Sequence, residues 1–196
     1  MVAAGTLHAM AVEMTVGSLV LATVAAVLRT LMVLSPSLSR RLGDRVAGGL
    51  DGASLYGAIL GLVFIPATII TGILAAGDGN SLTSNKMLIS GLCAGLWLGF
   101  LHGRITLGPG LWANRPLAIL QGAIAILAFL VTMTLSSIGG DIARGETVAD
   151  LIPIFPDFAA SPEVGMVGSI LMLILGVAAL CVVLFVQPKV RRLPDE

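Results

Sequence analysis

Apolar residues in this chain are gathered into five long stretches, which are separated by segments rich in polar residues, glycine and proline. The stretches fall at about residues 7–28, 53–75, 87–107, 117–138 and 164–186. Each comes close to the roughly 20 apolar residues that an α-helix needs to cross a bilayer. Because unpaired backbone groups cannot face lipid, these spans should be helical. The pattern predicts an all-α fold: a polytopic transmembrane bundle of five helices, forming one domain over residues 1–196.

Turn-forming residues mark the ends of the spans. Gly77 to Asn80 follows the second span, Gly108-Pro109-Gly110 stops the third, and Pro116 begins the fourth. Longer connections at 35–49 and 139–163 join the first span to the second and the fourth to the fifth. The sequence therefore predicts helices joined by connections of very different lengths, without a separate soluble domain.

Basic residues alternate between the two sides of these spans. One side holds only Lys86 and Arg144, and the other holds nine basic residues: Arg29, Arg40, Arg41, Arg45, Arg104, Arg115, Lys189, Arg191 and Arg192. Lys and Arg are concentrated in the cytoplasmic segments of membrane proteins. We therefore predict a multi-pass protein of the cell membrane, with its N-terminus outside and its C-terminus inside.

Composition agrees with this class and excludes others. The chain is 57% hydrophobic and 11% charged, has a mean hydropathy of +1.02, and carries no formal net charge. Soluble domains carry about twice that charged fraction. The predicted partners are the lipid bilayer and other membrane subunits, and no nucleic acid. No nucleophile–base pair, phosphate loop or metal-ligand spacing is present, and both cysteines lie within spans, so catalysis by this chain alone is not predicted.

Glycines recur every fourth residue along the third span. The members of this glycine zipper are Gly91, Gly95, Gly99 and Gly103. Such a face lets another helix backbone approach closely. We expect its partner to be another helix of this chain, with a helix of a neighbouring subunit as the alternative. Gly57 and Gly61 form a second small-residue face on the second span, and Pro66 should kink that span.

Three ionisable residues near or within the spans are candidate functional residues. Glu13 lies about two turns inside the first span, where a carboxylate must find a partner, meet water or be protonated. It is a candidate proton or ion site, or a structural residue bonded across a helix interface. His8 and His102 are candidate cofactor ligands for haem b or a quinone, or interfacial residues bonded to backbone or headgroups. Roughly 20 Å of depth separates them, so one haem held by both within a single chain is disfavoured.

The ends of the second and fourth spans resemble each other. Thr68 to Asp78 and Thr132 to Asp141 both run from hydroxyls through glycines to an aspartate. This similarity suggests two copies of one helical hairpin in the same orientation, followed by the fifth helix, as in parallel-repeat transporters. Chance similarity between two apolar helix ends is the alternative.

Three segments together resemble a family of small four-helix membrane proteins of unknown function. His8-Ala-Met-Ala-Val12-Glu13 is similar to that family's His-Pro-x-x-Val-His opening, and the segment 61–72, ending in Thr71-Gly72, is similar to its second helix. The segment from Gly139 to Gly145 resembles the ending of its fourth helix. The resemblance covers about residues 5–148 and implies a four-helix membrane unit with an added fifth helix.

This chain departs from the family pattern at the histidines. No proline follows His8, Glu13 stands where the family has its second histidine, and Asn85-Lys86 stands near the place where its third helix often opens with a histidine. If those histidines bind a cofactor, this chain has lost much of the site. The resemblance then implies a structural descendant.

Three classes of function remain. The first, which we favour, is an accessory or structural subunit of a larger membrane complex, of the respiratory (electron transport) or metalloenzyme kind. The second is a haem- or quinone-binding redox module that uses His8 or His102. The third is a small transporter or channel with Glu13 and the second span along its path, although transporters usually carry more polar groups at the midplane.

Overall fold

Four long helices form the described part of the molecule. The computed structural model describes residues 3–76 and 81–145, together with seven single positions between 168 and 181. The helices are α1 (Ala4–Leu34), α2 (Pro36–Ala76), α3 (Ser81–Leu107) and α4 (Arg115–Arg144), and a short 3₁₀ helix, Pro109–Ala113, lies between α3 and α4. All four are long and apolar enough to cross a membrane. The predicted class, an all-helical multi-pass membrane protein, is confirmed at this level.

The predicted fifth helix, at 164–186, falls mainly outside the described residues, as does most of the connection at 139–163. The described positions in it, all helical, are 168, 170, 171, 174, 177, 178 and 181. The number of spans beyond four, and the direction in which the bundle sits in a membrane, stay predictions.

The first predicted connection, at 35–49, is almost entirely helical. The chain leaves α1 at Ser35 and re-enters a helix at Pro36, because proline is well tolerated in the first helical turn. Within α2 only Gly43 departs from helical dihedral angles, with φ +75° and ψ 169°. Helical dihedral angles continue through Pro66, and the break in α2 falls at Gly43. The kink at Pro66 stays a prediction. The helices also extend past their predicted ends: α3 begins at Ser81, and α4 reaches Arg144.

The helices form a bundle of two antiparallel hairpins. α1 packs most extensively against α2, and α3 packs against α4; α1 also contacts α4, and α2 contacts α3. After α3, Gly108 turns the chain with φ +67° into the 3₁₀ helix. The side chain of Asn114 then accepts a hydrogen bond from the Leu117 N–H (3.3 Å), which caps α4. Each helix therefore has a neighbour on two sides and a long outward face.

Small and aromatic residues make the bundle core. Its members are Leu19, Ala22, Ala26, Ala58, Cys93, Trp97, Phe100, Ala125 and Ala128. Alanines on α1 and α4 let these helices approach, and α3 supplies the volume: the Trp97 and Phe100 rings meet edge to face, with centroids 5.6 Å apart. Leu21 and Leu127 are instead exposed on the outer surface, as expected where lipid is the solvent.

Candidate functional site

One end of the bundle is held together by an ion pair that the sequence analysis missed. Arg104 of α3 donates two hydrogen bonds to the Asp51 carboxylate of α2, from Nε to Oδ1 (2.7 Å) and from Nη2 to Oδ2 (2.6 Å). Trp112 of the 3₁₀ helix donates to the same Oδ1 from Nε1, also at 2.7 Å. Both ion-pair side chains are mostly buried, with 11% and 14% exposed. Asp51 thus joins three consecutive elements of the chain.

Arg29 ties α1 to the same end. Its guanidinium lies over the Trp112 ring, 5.6 Å from the centroid, which is the geometry of a cation–π contact. Its Nε is buried without a hydrogen-bond partner among the described residues. We call this group, Arg29, Asp51, Arg104 and Trp112, the arginine end. The arginine end thus joins α1, α2, α3 and the 3₁₀ helix, and α4 begins three residues after Trp112.

The opposite end, which we call the histidine end, contains His8 and Lys86. The His8 imidazole lies 3.3 Å from Thr71 Oγ1 through Nδ1. The same hydroxyl donates to the Ala67 carbonyl of its own helix at 2.7 Å. The ring rests on Gly72, where an added Cβ would lie 2.9 Å from Cε1. The histidine is therefore oriented by α2.

Lys86 lies against a glycine of the second hairpin, as His8 lies against a glycine of the first. A Cβ added at Gly139 of α4 would lie 2.8 Å from Nζ of Lys86, so the ammonium rests on that glycine. The two basic groups share one end of the bundle, because α2 ends at Ala76 and α3 begins at Ser81. No carboxylate among the described residues lies within 4 Å of this ammonium.

The two ends are separated by about the thickness of the hydrocarbon layer. Lys86 and Arg104 lie eighteen residues apart on α3, which corresponds to about 27 Å. Thr71 and Asp51 lie twenty residues apart on α2, or about 30 Å. The hydrocarbon core of a bilayer is about 30 Å thick. The separation of the two ends therefore matches the distance between the two boundaries of the hydrocarbon layer.

The candidate cofactor ligands lie at opposite ends. His8 is at the histidine end, whereas His102 is half-buried two residues before Arg104 and makes no side-chain hydrogen bond to a described residue. From the level of Lys86 to His102 is 16 residues along α3, or about 24 Å, close to the separation expected from the sequence. Among residues 3–76 and 81–145, no group of three or more His, Cys, Asp or Glu side chains could hold a metal ion. The structure therefore does not bring the two histidines together.

Glu13 points away from its own bundle. It is exposed, and it lies nine residues from fully buried Ala22, which at 100° per residue is the opposite side of α1. Met10, Met14 and Gly17 share its exposed surface. Five residues separate it from His8, which places it about 8 Å inside the hydrocarbon boundary. Its carboxylate is therefore turned away from α2, α3 and α4.

The glycines of α3 also face outward in part. A Cβ added at Gly95 or Gly99 would meet nothing within 4 Å, whereas one at Gly103 would lie 3.1 Å from Gln121 Oε1. Gln121 in turn donates to the Phe100 carbonyl at 2.8 Å. Of these three glycines, Gly103 alone has a partner among the described residues. The surface formed by Leu92, Gly95 and Gly99, which we call the α3 glycine face, is open.

Polar groups in the bundle centre are satisfied locally. Thr68 and Thr132, the first residues of the two similar helix ends, each bridge their own hairpin: Thr68 Oγ1 lies 2.8 Å from Thr15 Oγ1, and Thr132 Oγ1 accepts from Trp97 Nε1 at 3.3 Å. Between α1 and α4 lies a groove of about 230 Å³, lined almost wholly by apolar side chains. Neither feature forms a polar path through the described bundle.

Replacing Thr132 with valine is expected to destabilise the bundle by about 1 kcal/mol, because the buried indole N–H of Trp97 would lose its acceptor. The free energy of unfolding, measured by titration with a denaturing detergent, tests this. Thr134→Val is the matched control, since among the described residues that hydroxyl bonds only to the Leu130 carbonyl of its own helix. Equal loss in both variants would contradict a role for Thr132 between helices.

The fold and these two charged ends define a multi-pass integral membrane protein. Comparison with protein-family models, curated proteins and solved structures finds no match to this chain. The resemblance to small four-helix membrane proteins therefore stays a prediction.

Proposed function

We propose that this protein is an accessory subunit of a larger membrane complex, of the respiratory or metalloenzyme kind, and that it binds partner transmembrane helices through outward faces of α1 and α3. The observation that carries the proposal is the position of Glu13. Glu13 belongs to a helix long and apolar enough to cross a membrane, and its side chain is exposed on the side of α1 turned away from α2, α3 and α4. An ionisable group facing lipid without a partner is costly.

A partner helix resolves this cost. A hydrogen-bond donor or a basic side chain at the same depth would pair with Glu13, and the neighbouring Met10, Met14 and Gly17 offer an adaptable, low-relief surface for packing. The α3 glycine face supports the same function, because open Gly-x-x-x-Gly surfaces favour close helix–helix contact. The protein would act by holding other subunits, without chemistry of its own.

The two alternatives have less support. In a redox module, His8 and His102 are too far apart to share one haem, so a haem b or quinone site would need a ligand from a partner subunit. In a transporter, Glu13 would have to line a path, yet it faces away from α2, α3 and α4. Both stay alternatives. A visible haem spectrum of the purified protein would support the redox module, and measured transport across a membrane would support the transporter.

Site-specific cross-linking tests the proposal. A photoreactive amino acid at Met14 is expected to cross-link, in native membranes, to a membrane protein that mass spectrometry identifies. The same adduct should be weakened several-fold by Glu13→Ala, because the partner would lose its polar contact. Leu127 is the matched control position: it is similarly exposed, 51% against 48% for Met14, but lies on an apolar face of α4.

The expected pattern is one discrete adduct at Met14, little at Leu127, and dependence on the Glu13 carboxylate. Co-elution of the same partner with the tagged protein in mild detergent should follow. Equal, diffuse labelling at both positions, insensitive to Glu13→Ala, would show that this face contacts only lipid and would overturn the proposal.

A further inference from the structure

We propose that the segment 36–49, at the start of α2, binds the phosphate groups of anionic phospholipids through Arg40, Arg41 and Arg45. We call this segment the basic segment. The proposal is independent of any partner subunit, because Glu13 and the α3 glycine face take no part in it. It rests on the exposure, charge and depth of three arginines that lie close together in the chain.

The three arginines have no acidic partner among the described residues. All three are exposed, and the ion pair found within residues 3–76 and 81–145 joins Arg104 to Asp51. Asp44, the acidic residue of the basic segment, is exposed as well and lies within 4 Å of none of the three guanidinium groups. The positive charge of the basic segment is therefore available to a ligand outside the bundle.

The excess of positive charge extends over this whole end of the bundle. Its charged residues among those described are Arg29, Arg40, Arg41, Arg45, Arg104, Arg115, Asp44 and Asp51. The chain after residue 186 holds three basic and two acidic residues, so it cannot neutralise this excess. The acidic segment 146–163 is joined to the end of α4, at the histidine end. A surface with this balance attracts anions.

The depth of the basic segment matches that of lipid headgroups. Asp51 and Thr71 are separated along α2 by about the thickness of the hydrocarbon layer, so Asp51 marks one boundary. Arg45 precedes Asp51 by six residues, or about 9 Å, and the headgroup layer is about 5–7 Å thick on each side. A long arginine side chain can reach back over that distance. Tyr56, just inside this boundary and 70% exposed, agrees with its position, because tyrosine is enriched at membrane–water interfaces.

Exposed apolar side chains beside the arginines favour lipid over an acidic protein as the ligand. Leu42 and Val46 are 39% and 40% exposed. At Gly43, φ +75° takes the chain out of the helical path, so residues 36–42 do not simply prolong the span. Helical segments with exposed basic and apolar side chains bind at bilayer surfaces, where both kinds of side chain are satisfied. An acidic protein surface would satisfy the charges alone.

The lipid selectivity of the full chain tests the assignment. The protein is placed in phosphatidylcholine vesicles with a trace of spin-labelled phosphatidylglycerol or phosphatidylcholine, and electron paramagnetic resonance measures the fraction of each lipid that the protein immobilises. We expect the wild type to prefer phosphatidylglycerol about fivefold. The triple variant Arg40→Gln, Arg41→Gln, Arg45→Gln should lose most of this preference. Asp44→Asn should increase it, because the basic segment would lose its acidic residue.

Single substitutions provide the controls. Arg41→Gln should lower the preference about twofold, whereas Arg144→Gln, which removes an exposed arginine at the opposite end of the bundle, should leave it unchanged. The triple variant should unfold at the wild-type temperature in neutral detergent, because the three side chains are exposed. High salt should weaken the preference by screening.

Four results would overturn the proposal. The first is a wild-type protein without preference for phosphatidylglycerol, and the second is equal behaviour of Arg41→Gln and Arg144→Gln. The third is full competition by millimolar inorganic phosphate, which would make the ligand a soluble anion. The fourth is retention of a soluble acidic protein at low salt in place of any lipid preference, which would assign the basic segment to a protein partner.

Discussion

Replacing Asp51 with alanine is expected to lower the free energy of unfolding by about 3 kcal/mol, the largest effect that we expect from a single polar substitution in the described bundle. Two consequences add together. Arg104 would keep a mostly buried positive charge without its counter-ion, and the Trp112 indole N–H would lose its acceptor. Titration with a denaturing detergent, or the shift in unfolding temperature, would measure the loss.

Two variants give this prediction its controls. Asp51→Asn keeps an acceptor for Trp112 but removes the charge, so we expect about half the loss. Asp44→Ala removes an exposed carboxylate near the same end and should change stability by less than about 0.5 kcal/mol. An Asp51→Ala variant as stable as Asp44→Ala would mean that the ion pair contributes nothing net, as some buried pairs do.

The helices themselves could be predicted from the sequence because lipid imposes a simple constraint. Any segment of about 20 apolar residues in a membrane must satisfy its own backbone, so the four described spans follow from hydropathy. Their ends could not be predicted in this way. The segments 36–52 and 81–86 are polar or mixed in composition yet helical. Hydropathy marks where lipid begins, and the helices continue beyond that point.

The buried faces of the helices were harder to predict, because in this bundle many large apolar residues point outward and small residues point inward. In a soluble helix the large apolar residues mark the buried side. In α1 the buried side carries Ala22, Ala26 and Thr15, while Leu21 and Leu31 are exposed. The sequence analysis therefore identified Glu13 as a candidate residue but could not say which way it points. Only the position of α2 and α4 against α1 shows that it faces outward.

The ion pair of Asp51 and the contact of Lys86 with Gly139 could not be predicted for a different reason. Asp51 stands just before an apolar stretch, where an acidic residue is ordinary, and its partner Arg104 is 53 positions away. Lys86 entered the sequence analysis only through the count of basic residues on each side and the family comparison. Gly57 and Gly61 could be predicted as a packing face, and the structure places both against α1. Local spacing reveals such faces, whereas pairs between distant helices require the fold.

The contact of α2 with the backbone of α1 gives the second large prediction. Gly57 of α2 lies against the backbone of α1: an added Cβ would be 2.9 Å from the Ser18 carbonyl oxygen and 3.1 Å from the Ala22 nitrogen. A helix backbone cannot change rotamer to make room, so Gly57→Ala must separate α1 from α2. Overpacking of this kind costs about 1–3 kcal/mol, and we expect Gly57→Leu to cost more.

Gly49→Ala on the same helix is the matched control, because a Cβ there would meet nothing within 4 Å. It should leave stability unchanged or slightly higher, since alanine is the better helix former. Unfolding in denaturing detergent would compare the two variants directly. If Gly57→Ala were as stable as Gly49→Ala, the α1–α2 contact would have to be looser than described. The contact of the His8 ring with Gly72 would then be looser as well, because the same pair of helices forms it.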